Sequence, residues 1–347
     1  MMRSEFEFER PRELEATAPP ETRGLGRDGV RLMVTDARGS SHHGFSDLPS
    51  LLAPGDVLVV NESATLAASL PARGPSGDFL LNMSTRYAAA VWLAEPRWGI
   101  GAPGPVPLEP GTAVLVGSAR FYPIGPYPGV PRLWFFRSEG DVGRAMADHG
   151  RPIRYGYVAH PYGLDAYQTI FSRVPGSAEM PSAGRPFTRS VLRRLEGRGV
   201  EIRRVVLHTG VSSLESEPGG DVIPPVYPEP FEVSPSTSEA VNRARSGGHR
   251  VVAVGTTVLR ALETAWDGAR LVPRRGFTQL TIGPGRPTPS VDGLVTGFHD
   301  PRTSHLALLF GFAGEDRVRA AYAEAVRARY LWHEFGDSHL VWRDARN

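Results

Sequence analysis

Residues 251–263 read VVAVGTTVLRALE. Four apolar and mostly β-branched residues predict a buried parallel strand, and the apolar spacing that follows predicts a helix. The Gly255-Thr256-Thr257 turn between them directs backbone N–H groups and two hydroxyls out of the carboxyl edge of the sheet, which makes an anion site at a helix N-terminus. Arg260, one turn into the helix, could add a bidentate grip on a carboxylate or phosphate. The same pattern also fits an ordinary strand–turn–helix with a capping threonine.

Composition narrows the class of protein. A chain of 347 residues is long for one hydrophobic core and predicts two domains. The sequence contains no lysine, so Schiff-base chemistry and a P-loop lysine are excluded. It also contains no cysteine, which excludes disulfides, thiolate nucleophiles and cysteine-ligated metals. The net charge of +2 permits nucleic-acid binding through arginine but does not require it.

The sequence shows no sign of a membrane segment. Residues 3–10 are highly charged and do not resemble a signal peptide. No uninterrupted apolar run approaches the roughly 18 residues that a membrane span needs. We therefore expect a cytoplasmic protein that does not bind a membrane, and the sequence predicts no particular oligomeric state.

The predicted pattern of helices and strands changes twice along the chain. Up to about residue 70, short strand-like runs alternate with turns. Residues 71–150 carry short β runs between Gly- and Pro-dense connectors, a spacing typical of a small antiparallel barrel or sandwich. After residue 150 the patterns alternate again, with a helix predicted near 189–198 and a strand at 205–207. We expect an α/β domain with a mixed sheet, built from residues 1–70 and 151–347, with a β domain of residues 71–150 inserted into it.

Two histidines follow strand-like segments. His208 comes directly after the apolar run 205–207, where α/β sheets place ligand contacts. His299 lies in a turn that precedes a long apolar stretch, and its imidazole could act as an acid or base near neutral pH. The alternatives are structural: His208 caps a strand end, or His299 hydrogen-bonds within its own turn.

Other polar residues are weaker candidates by themselves. Asp337 offers a carboxylate after a glycine, and Glu229 is held between two prolines with a stiff backbone. Ser182 lies in a loop of small residues that ends at Thr188, a plausible helix N-cap.

Several common motifs are missing from the sequence. The glycine fingerprint of dinucleotide-binding folds, the Gly-x-Ser-x-Gly elbow and the His-Glu-x-x-His metal motif are all absent. We therefore expect chemistry without a metal, carried by histidine, carboxylates, hydroxyls, arginine and backbone dipoles.

Taken together, these segments resemble the S-adenosylmethionine:tRNA ribosyltransferase-isomerase family of queuosine biosynthesis over nearly the whole chain. The matching segments are, in order, Arg27-Asp28, residues 45–56, Asn61, residues 167–169, residues 181–184 with Phe187-Thr188, Leu207-His208 with Gly210, residues 254–257 with Arg260 and Glu263, residues 291–294 with Thr296, Phe298-His299 with Pro301, residues 312–314, and Gly336-Asp337. The Gly-Thr-Thr-x-x-Arg and Thr-x-Phe-His-x-Pro segments are the specific ones.

The resemblance implies an α/β domain with an inserted β-barrel, and an enzyme that uses S-adenosylmethionine as co-substrate without another cofactor. The family transfers the ribosyl group to 7-aminomethyl-7-deazaguanine in tRNA, which gives epoxyqueuosine and releases adenine and methionine.

The resemblance also suggests roles for the candidate residues. His299 and His208 are candidates for proton transfer, and Asp337 and Glu229 for binding ribose hydroxyls or an ammonium group. The substrate-binding candidates are Gly255, Thr256, Thr257 and Arg260 for the methionine carboxylate, together with Asn61, Ser182 and Thr188.

The chain departs from the family pattern at several places. The family's Leu-His is replaced by Arg185-Pro186, and a proline cannot replace an ionisable histidine. Asn61 is followed by Glu62-Ser63-Ala64-Thr65 where the family carries Asp-Thr-Arg-Val, so an arginine is lost. These changes keep two alternatives open. One is a paralogue that uses S-adenosylmethionine on a small-molecule amine or nucleobase. The other is a non-catalytic module that binds S-adenosylmethionine or RNA.

Overall fold

A computed structural model describes residues 8–102, 104–211, 227–301 and 303–343. These residues form one large mixed sheet with helices on both faces, a closed barrel and a small two-stranded sheet.

The strands are β1 (Arg31–Asp36), β2 (Gly39–Gly44), β3 (Val57–Asn61), β4 (Ser63–Thr65), β5 (Ser69–Gly74), β6 (Gly77–Ala88), β7 (Val91–Arg97), β8 (Val114–Val116), β9 (Ala119–Tyr127), β10 (Val130–Glu139), β11 (Val174–Ser177), β12 (Glu201–Leu207), β13 (Glu229–Val233), β14 (Val251–Val254), β15 (Arg274–Thr278), β16 (Gly293–Gly297) and β17 (Ser338–Trp342). The helices are α1 (Leu48–Leu51), α2 (Val142–His149), α3 (Arg189–Gly197), α4 (Pro235–Ser246), α5 (Thr256–Thr264), α6 (Ser304–Ala313) and α7 (Glu315–Arg327).

The large sheet has the strand order β15-β13-β12-β3-β14-β16-β17-β1-β2. Its four central strands, β12, β3, β14 and β16, run parallel to one another. Antiparallel strands flank them on both sides, since β13 pairs with β12 and β17 pairs with β16. The predicted mixed α/β sheet is therefore confirmed, and the carboxyl ends of the four central strands meet at one edge.

The central strands are apolar at successive positions, so their side chains, which point alternately to the two faces of the sheet, are buried on both. Val57, Val59, Val251 and Ala253 belong to the core cluster that contains residues of α4, α5, α6 and α7. Leu58, Val60, Val252 and Val254 belong to the opposite cluster, which contains residues of α1 and α3. A parallel sheet covered on both faces requires such continuous apolar strands. Each fully buried valine or leucine stabilises the fold by about 1.5–3 kcal/mol relative to an exposed one.

The inserted unit is a closed six-stranded barrel with the order β10-β7-β6-β5-β8-β9, in which β9 pairs with β10. Its strands lie between residues 69 and 139 and are antiparallel to their neighbours. Its own core contains Phe121 and Phe136, both fully buried. The inserted barrel is thus confirmed, while the domain boundaries at residues 70 and 150 stay a prediction. None of the described helices is long and apolar enough to span a membrane.

Candidate active site

The carboxyl ends of β14 and β16 open onto a cavity of about 790 Å³, which we call the central cavity. The predicted site residues that line it are Ser182, Glu229, Gly255, Thr256, Thr257, Arg260 and His299. Ligand sites in α/β proteins are typically found at this edge of the sheet.

The turn after β14 brings the start of α5 to this cavity. Gly255 has a φ of 96°, a left-handed conformation that glycine adopts without strain. Its N–H donates to the Val295 carbonyl at 2.8 Å, which joins the ends of β14 and β16. Among the described residues, no side chain caps α5 at its N-cap Gly255. The threonines therefore do not cap the helix, and the N–H groups of its first turn need another partner.

Asn61 holds the Thr257 hydroxyl in place. The side-chain amide of Asn61 donates to the Leu207 carbonyl at 2.8 Å and to Thr257 Oγ1 at 3.3 Å. Its carbonyl oxygen accepts from the Leu207 N–H at 3.1 Å. Asn61 is 3% exposed, and its contacts link β3 and β12 to α5.

Glu229 and Arg260 form an ion pair at the cavity. Glu229 Oε2 pairs with Arg260 Nη1, and Glu229 Oε1 accepts from the Gly210 N–H at 2.8 Å. Arg260 Nε donates to the Leu280 carbonyl at 2.9 Å. Nη2 of Arg260 is buried and has no hydrogen-bond partner among the described residues. The guanidinium is thus oriented by two contacts, and Nη2 has no partner in the described part of the chain.

His299 lies just after β16, and its ring borders the cavity. Its Nε2 is 2.8 Å from Thr296 Oγ1, and its ring stacks on His305 with centroids 4.8 Å apart. Burial, and then the neighbouring histidines, lower the pKa of His299 well below its usual value. His299 is therefore neutral at pH 7, the form in which an imidazole can accept a proton.

Ser182 and Thr188 end up in different places. Ser182 begins the turn Ser182–Gly184, which lines the cavity, and a Cβ on Gly255 would lie 3.4 Å from the Ala183 Cβ. Thr188 is the N-cap of α3, where it accepts from the Val191 N–H at 3.3 Å. It also donates to Asp28 Oδ2 at 2.8 Å, so its hydroxyl is committed to local structure.

Asp337 is held by a network outside the central cavity. Its carboxylate accepts from the backbone N–H of Arg31 at 2.8 Å and from that residue's guanidinium at 2.9 Å. It also accepts from the Leu331 N–H at 2.8 Å. Asp337 is 6% exposed and links β1 to the turn before β17, which is a structural use of the carboxylate.

His208 lies on a second cavity, of about 1370 Å³, between the barrel and the large sheet. Its Nδ1 is 2.7 Å from the Ser63 hydroxyl, and burial lowers its pKa. A Cβ on Gly176 would come within 2.5 Å of the His208 ring, so only glycine fits there. The structure therefore separates His208 from His299 rather than joining them in one cavity.

At the departure from the family's Leu-His, the contacts of Arg185 explain the first replacement, and nothing in the structure explains Pro186 in place of the histidine. Arg185 is 3% exposed, and its guanidinium donates to both carboxylate oxygens of Glu21 at 3.1 and 3.0 Å. Its Nε donates to the Ala166 carbonyl at 2.9 Å, and the guanidinium lies 4.9 Å from the centre of the Phe335 ring. Arg185 thus connects the end of the Ser182–Gly184 turn to Ala166 and Glu21.

Several residues on the cavity were not singled out from the sequence. They are Tyr155, Tyr157, Glu179, His305, His333 and Glu334. Most of them come from segments that are neither helix nor strand. In such segments the sequence has no periodic pattern of apolar residues, so it does not indicate which side chains point inward. The described residues contain no group of three or more histidines and carboxylates able to hold a metal ion.

Fold and site together define an α/β protein with an inserted barrel and a small-molecule cavity at the carboxyl ends of its parallel strands. A family model described as "Queuosine biosynthesis protein" matches residues 3–341. The chain belongs to this family, which confirms the resemblance seen in the sequence.

Similar proteins share the name of the enzyme family that the sequence resembles. A relative from Rubrobacter xylanophilus, called S-adenosylmethionine:tRNA ribosyltransferase-isomerase, is 40% identical, and the match covers 100% of this chain and 99% of the relative. A relative of the same name from Anaeromyxobacter sp. (strain Fw109-5) is 37% identical, with 99% of each chain covered. The crystal structure of S-adenosylmethionine tRNA ribosyltransferase from Thermotoga maritima is 29% identical, with a TM-score of 0.55 and coverage of 97% of this chain and 99% of that one.

Proposed function

We propose that this chain transfers and isomerises the ribosyl group of S-adenosylmethionine onto 7-aminomethyl-7-deazaguanine in tRNA, giving epoxyqueuosine with release of adenine and methionine. The observation that carries the proposal is the uncapped start of α5, which shares one cavity with a neutral His299 in a chain of this family. S-adenosylmethionine is the co-substrate, no further cofactor takes part, and a tRNA substrate implies a cytoplasmic location.

The carboxylate of the methionine moiety would bind at the start of α5. The N–H groups of the first helical turn and the hydroxyls of Thr256 and Thr257 are hydrogen-bond donors, and the helix dipole favours an anion there. Nη2 of Arg260 adds a charged donor without a protein partner in the described chain. Glu229 then serves to orient Arg260, and its carboxylate has no oxygen without a partner.

His299 is the residue that the contacts favour for proton transfer. The positive sulfur of S-adenosylmethionine acidifies the adjacent 5′-carbon, so a neutral base in the cavity could remove that proton. His299 is neutral because burial lowers its pKa. His208 lies on the second cavity, and Asp337 is held by Arg31, so we assign both to the scaffold rather than to the reaction.

The test is release of adenine and methionine, measured by mass spectrometry on purified protein with S-adenosylmethionine. One arm contains tRNA that carries 7-aminomethyl-7-deazaguanine, and the control arm contains the same tRNA with guanine. We expect release only with the modified tRNA. We also expect tRNA binding to weaken steeply with added salt, because it displaces counterions from phosphates. Release without tRNA would favour a small-molecule acceptor, and no release in either arm would favour a binding module.

A further inference from the structure

One wall of the central cavity combines stacked aromatic rings with carboxylates. It consists of Tyr155, Tyr157, Glu179, His333 and Glu334, which we call the tyrosine–glutamate wall. The Tyr155 hydroxyl donates to Glu179, and the Tyr157 hydroxyl donates to Glu334. The Tyr157 ring stacks on His333 with centroids 4.0 Å apart and on Tyr155 with centroids 5.8 Å apart, both at an interplanar angle of 13°.

A buried hydroxyl beside this wall lacks a partner. Tyr167 is 4% exposed and also lines the central cavity, yet its hydroxyl has no hydrogen-bond partner among the described residues. Burial, and then the charge of Glu334, raise the pKa of Tyr167, so the phenol lies within the field of that carboxylate. Because a buried polar group without a partner is costly, this hydroxyl indicates a ligand at the wall.

The charge at the wall is not balanced by an ion pair at Glu334. Elsewhere on the cavity, Glu229 is paired with Arg260 and Asp300 with Arg10. In the described part of the chain, no arginine lies within ion-pairing distance of Glu334. Its side-chain hydrogen bond comes from a neutral phenol, and Arg185, whose charge acts on it, is paired with Glu21. A carboxylate, a hydroxyl and aromatic faces are the groups that bind an ammonium.

We propose that the tyrosine–glutamate wall binds the primary amine of the acceptor, the aminomethyl group of the deazaguanine base. This inference rests on the proposed function. Burial raises the pKa of the Glu334 carboxyl, and an ammonium beside it favours its ionised form. The ammonium of S-adenosylmethionine shares a carbon with its carboxylate, which we place at α5, so the acceptor is the better source of the cation.

The test is calorimetric binding to the full chain with three probes: free 7-aminomethyl-7-deazaguanine, 7-deazaguanine without the aminomethyl group, and S-adenosylmethionine. The variant is Glu334→Gln, which removes the charge and keeps the shape. The matched control is Glu196→Gln, at an exposed position on α3. If Glu334→Gln does not fold, the same binding measurements are made on Tyr157→Phe. That variant keeps the carboxylates of Glu179 and Glu334 and removes the hydroxyl that donates to Glu334.

We expect Glu334→Gln to weaken binding of the aminomethyl base about tenfold or more, the ratio that corresponds to one charged hydrogen bond of about 1.5 kcal/mol. Binding of 7-deazaguanine and of S-adenosylmethionine should change less than about twofold. Tyr157→Phe should show the same selectivity, and Glu196→Gln no change.

Three results would overturn the inference: equal loss for both bases, a loss confined to S-adenosylmethionine, or a wild-type protein that does not prefer the aminomethyl base. The assay involves no turnover, so its outcome is separate from that of the adenine-release test. A chain that binds the amine through Glu334 but releases no adenine with modified tRNA would contradict the proposed reaction, and it would leave an amine-binding site at the wall.

Discussion

Replacing Glu229 by glutamine tests how Arg260 is held at the central cavity. The substitution keeps an oxygen that can accept from the Gly210 N–H, and it removes the charge opposite Arg260. Arg260 keeps its contact with the Leu280 carbonyl, but its positive charge is then buried without a counterion. Both folding stability and ligand binding should respond.

The size of the effect follows from the burial of the pair. Removing one partner of a buried ion pair costs about 3–5 kcal/mol. The side chains of Glu229 and Arg260 retain 8% and 12% exposure, and water reduces the cost at both. We therefore expect Glu229→Gln to lower the free energy of unfolding by about 2–3 kcal/mol. It should also weaken S-adenosylmethionine binding about tenfold, because Arg260 loses its orientation.

The assay is a double-mutant cycle with Glu229→Gln, Arg260→Met and the combined variant. Urea unfolding measures the stability of each variant, and calorimetry measures its affinity for S-adenosylmethionine. Removing both charges leaves no uncompensated ion, so the combined variant should be more stable than the sum of the single effects by at least about 1.5 kcal/mol. Additive stability losses would show that the two charges do not stabilise each other, and S-adenosylmethionine binding that Arg260→Met leaves unchanged would show that Arg260 does not bind the carboxylate.

Four further predictions concern other residues of the fold and the candidate site. Asp337→Asn should lower the free energy of unfolding by about 2 kcal/mol through lost charged hydrogen bonds, yet change the affinity for S-adenosylmethionine less than about twofold in calorimetry. His339 lies on β17 and is fully buried, which lowers its pKa to about 3, so the unfolded chain binds a proton there from about pH 6.5 downward while the folded chain does not. The wild type should therefore lose about 2 kcal/mol more stability than His339→Gln between pH 7 and pH 5 in urea unfolding, and equal losses would argue against a neutral buried ring. Thr257→Val should raise the KM for S-adenosylmethionine about fivefold, since it removes one hydroxyl from the proposed carboxylate site, and it should cost about 1 kcal/mol of stability, since the Asn61 amide loses its 3.3 Å contact with that hydroxyl. Thr188→Val should cost about 1 kcal/mol of stability at the N-cap of α3 without changing KM.

Local patterns in the sequence were enough to predict the strand–turn–helix of residues 251–263. The apolar run is β14, the glycine has the positive φ that the turn needs, and α5 begins at Thr256. Local patterns could not predict that the strands of the inserted unit close into a barrel. Whether short antiparallel strands make a barrel or a sandwich depends on pairing between distant strands, here β10 with β7 on one side and β9 on the other.

The candidate site was predictable only in part, because a strand end determines the edge of the sheet but not the cavity that a side chain reaches. His208 and His299 both follow central strands, yet Gly176 and Ser63 pack against the His208 ring and only His299 borders the central cavity. Asp337 meets Arg31 from 306 residues away, a contact that no local spacing reveals.

Ribosyl transfer to tRNA is tested most directly by following the ribose carbons of S-adenosylmethionine. The purified chain would be incubated with tRNA carrying 7-aminomethyl-7-deazaguanine and with S-adenosylmethionine isotopically labelled in its ribose, and the nucleosides of the recovered tRNA would be analysed by mass spectrometry. We expect the label to appear in the modified nucleoside at the mass of epoxyqueuosine, and we expect Arg260→Met and His299→Gln to reduce it. Label that stays in S-adenosylmethionine or appears only in small-molecule products, with the tRNA unlabelled, would contradict ribosyl transfer to tRNA.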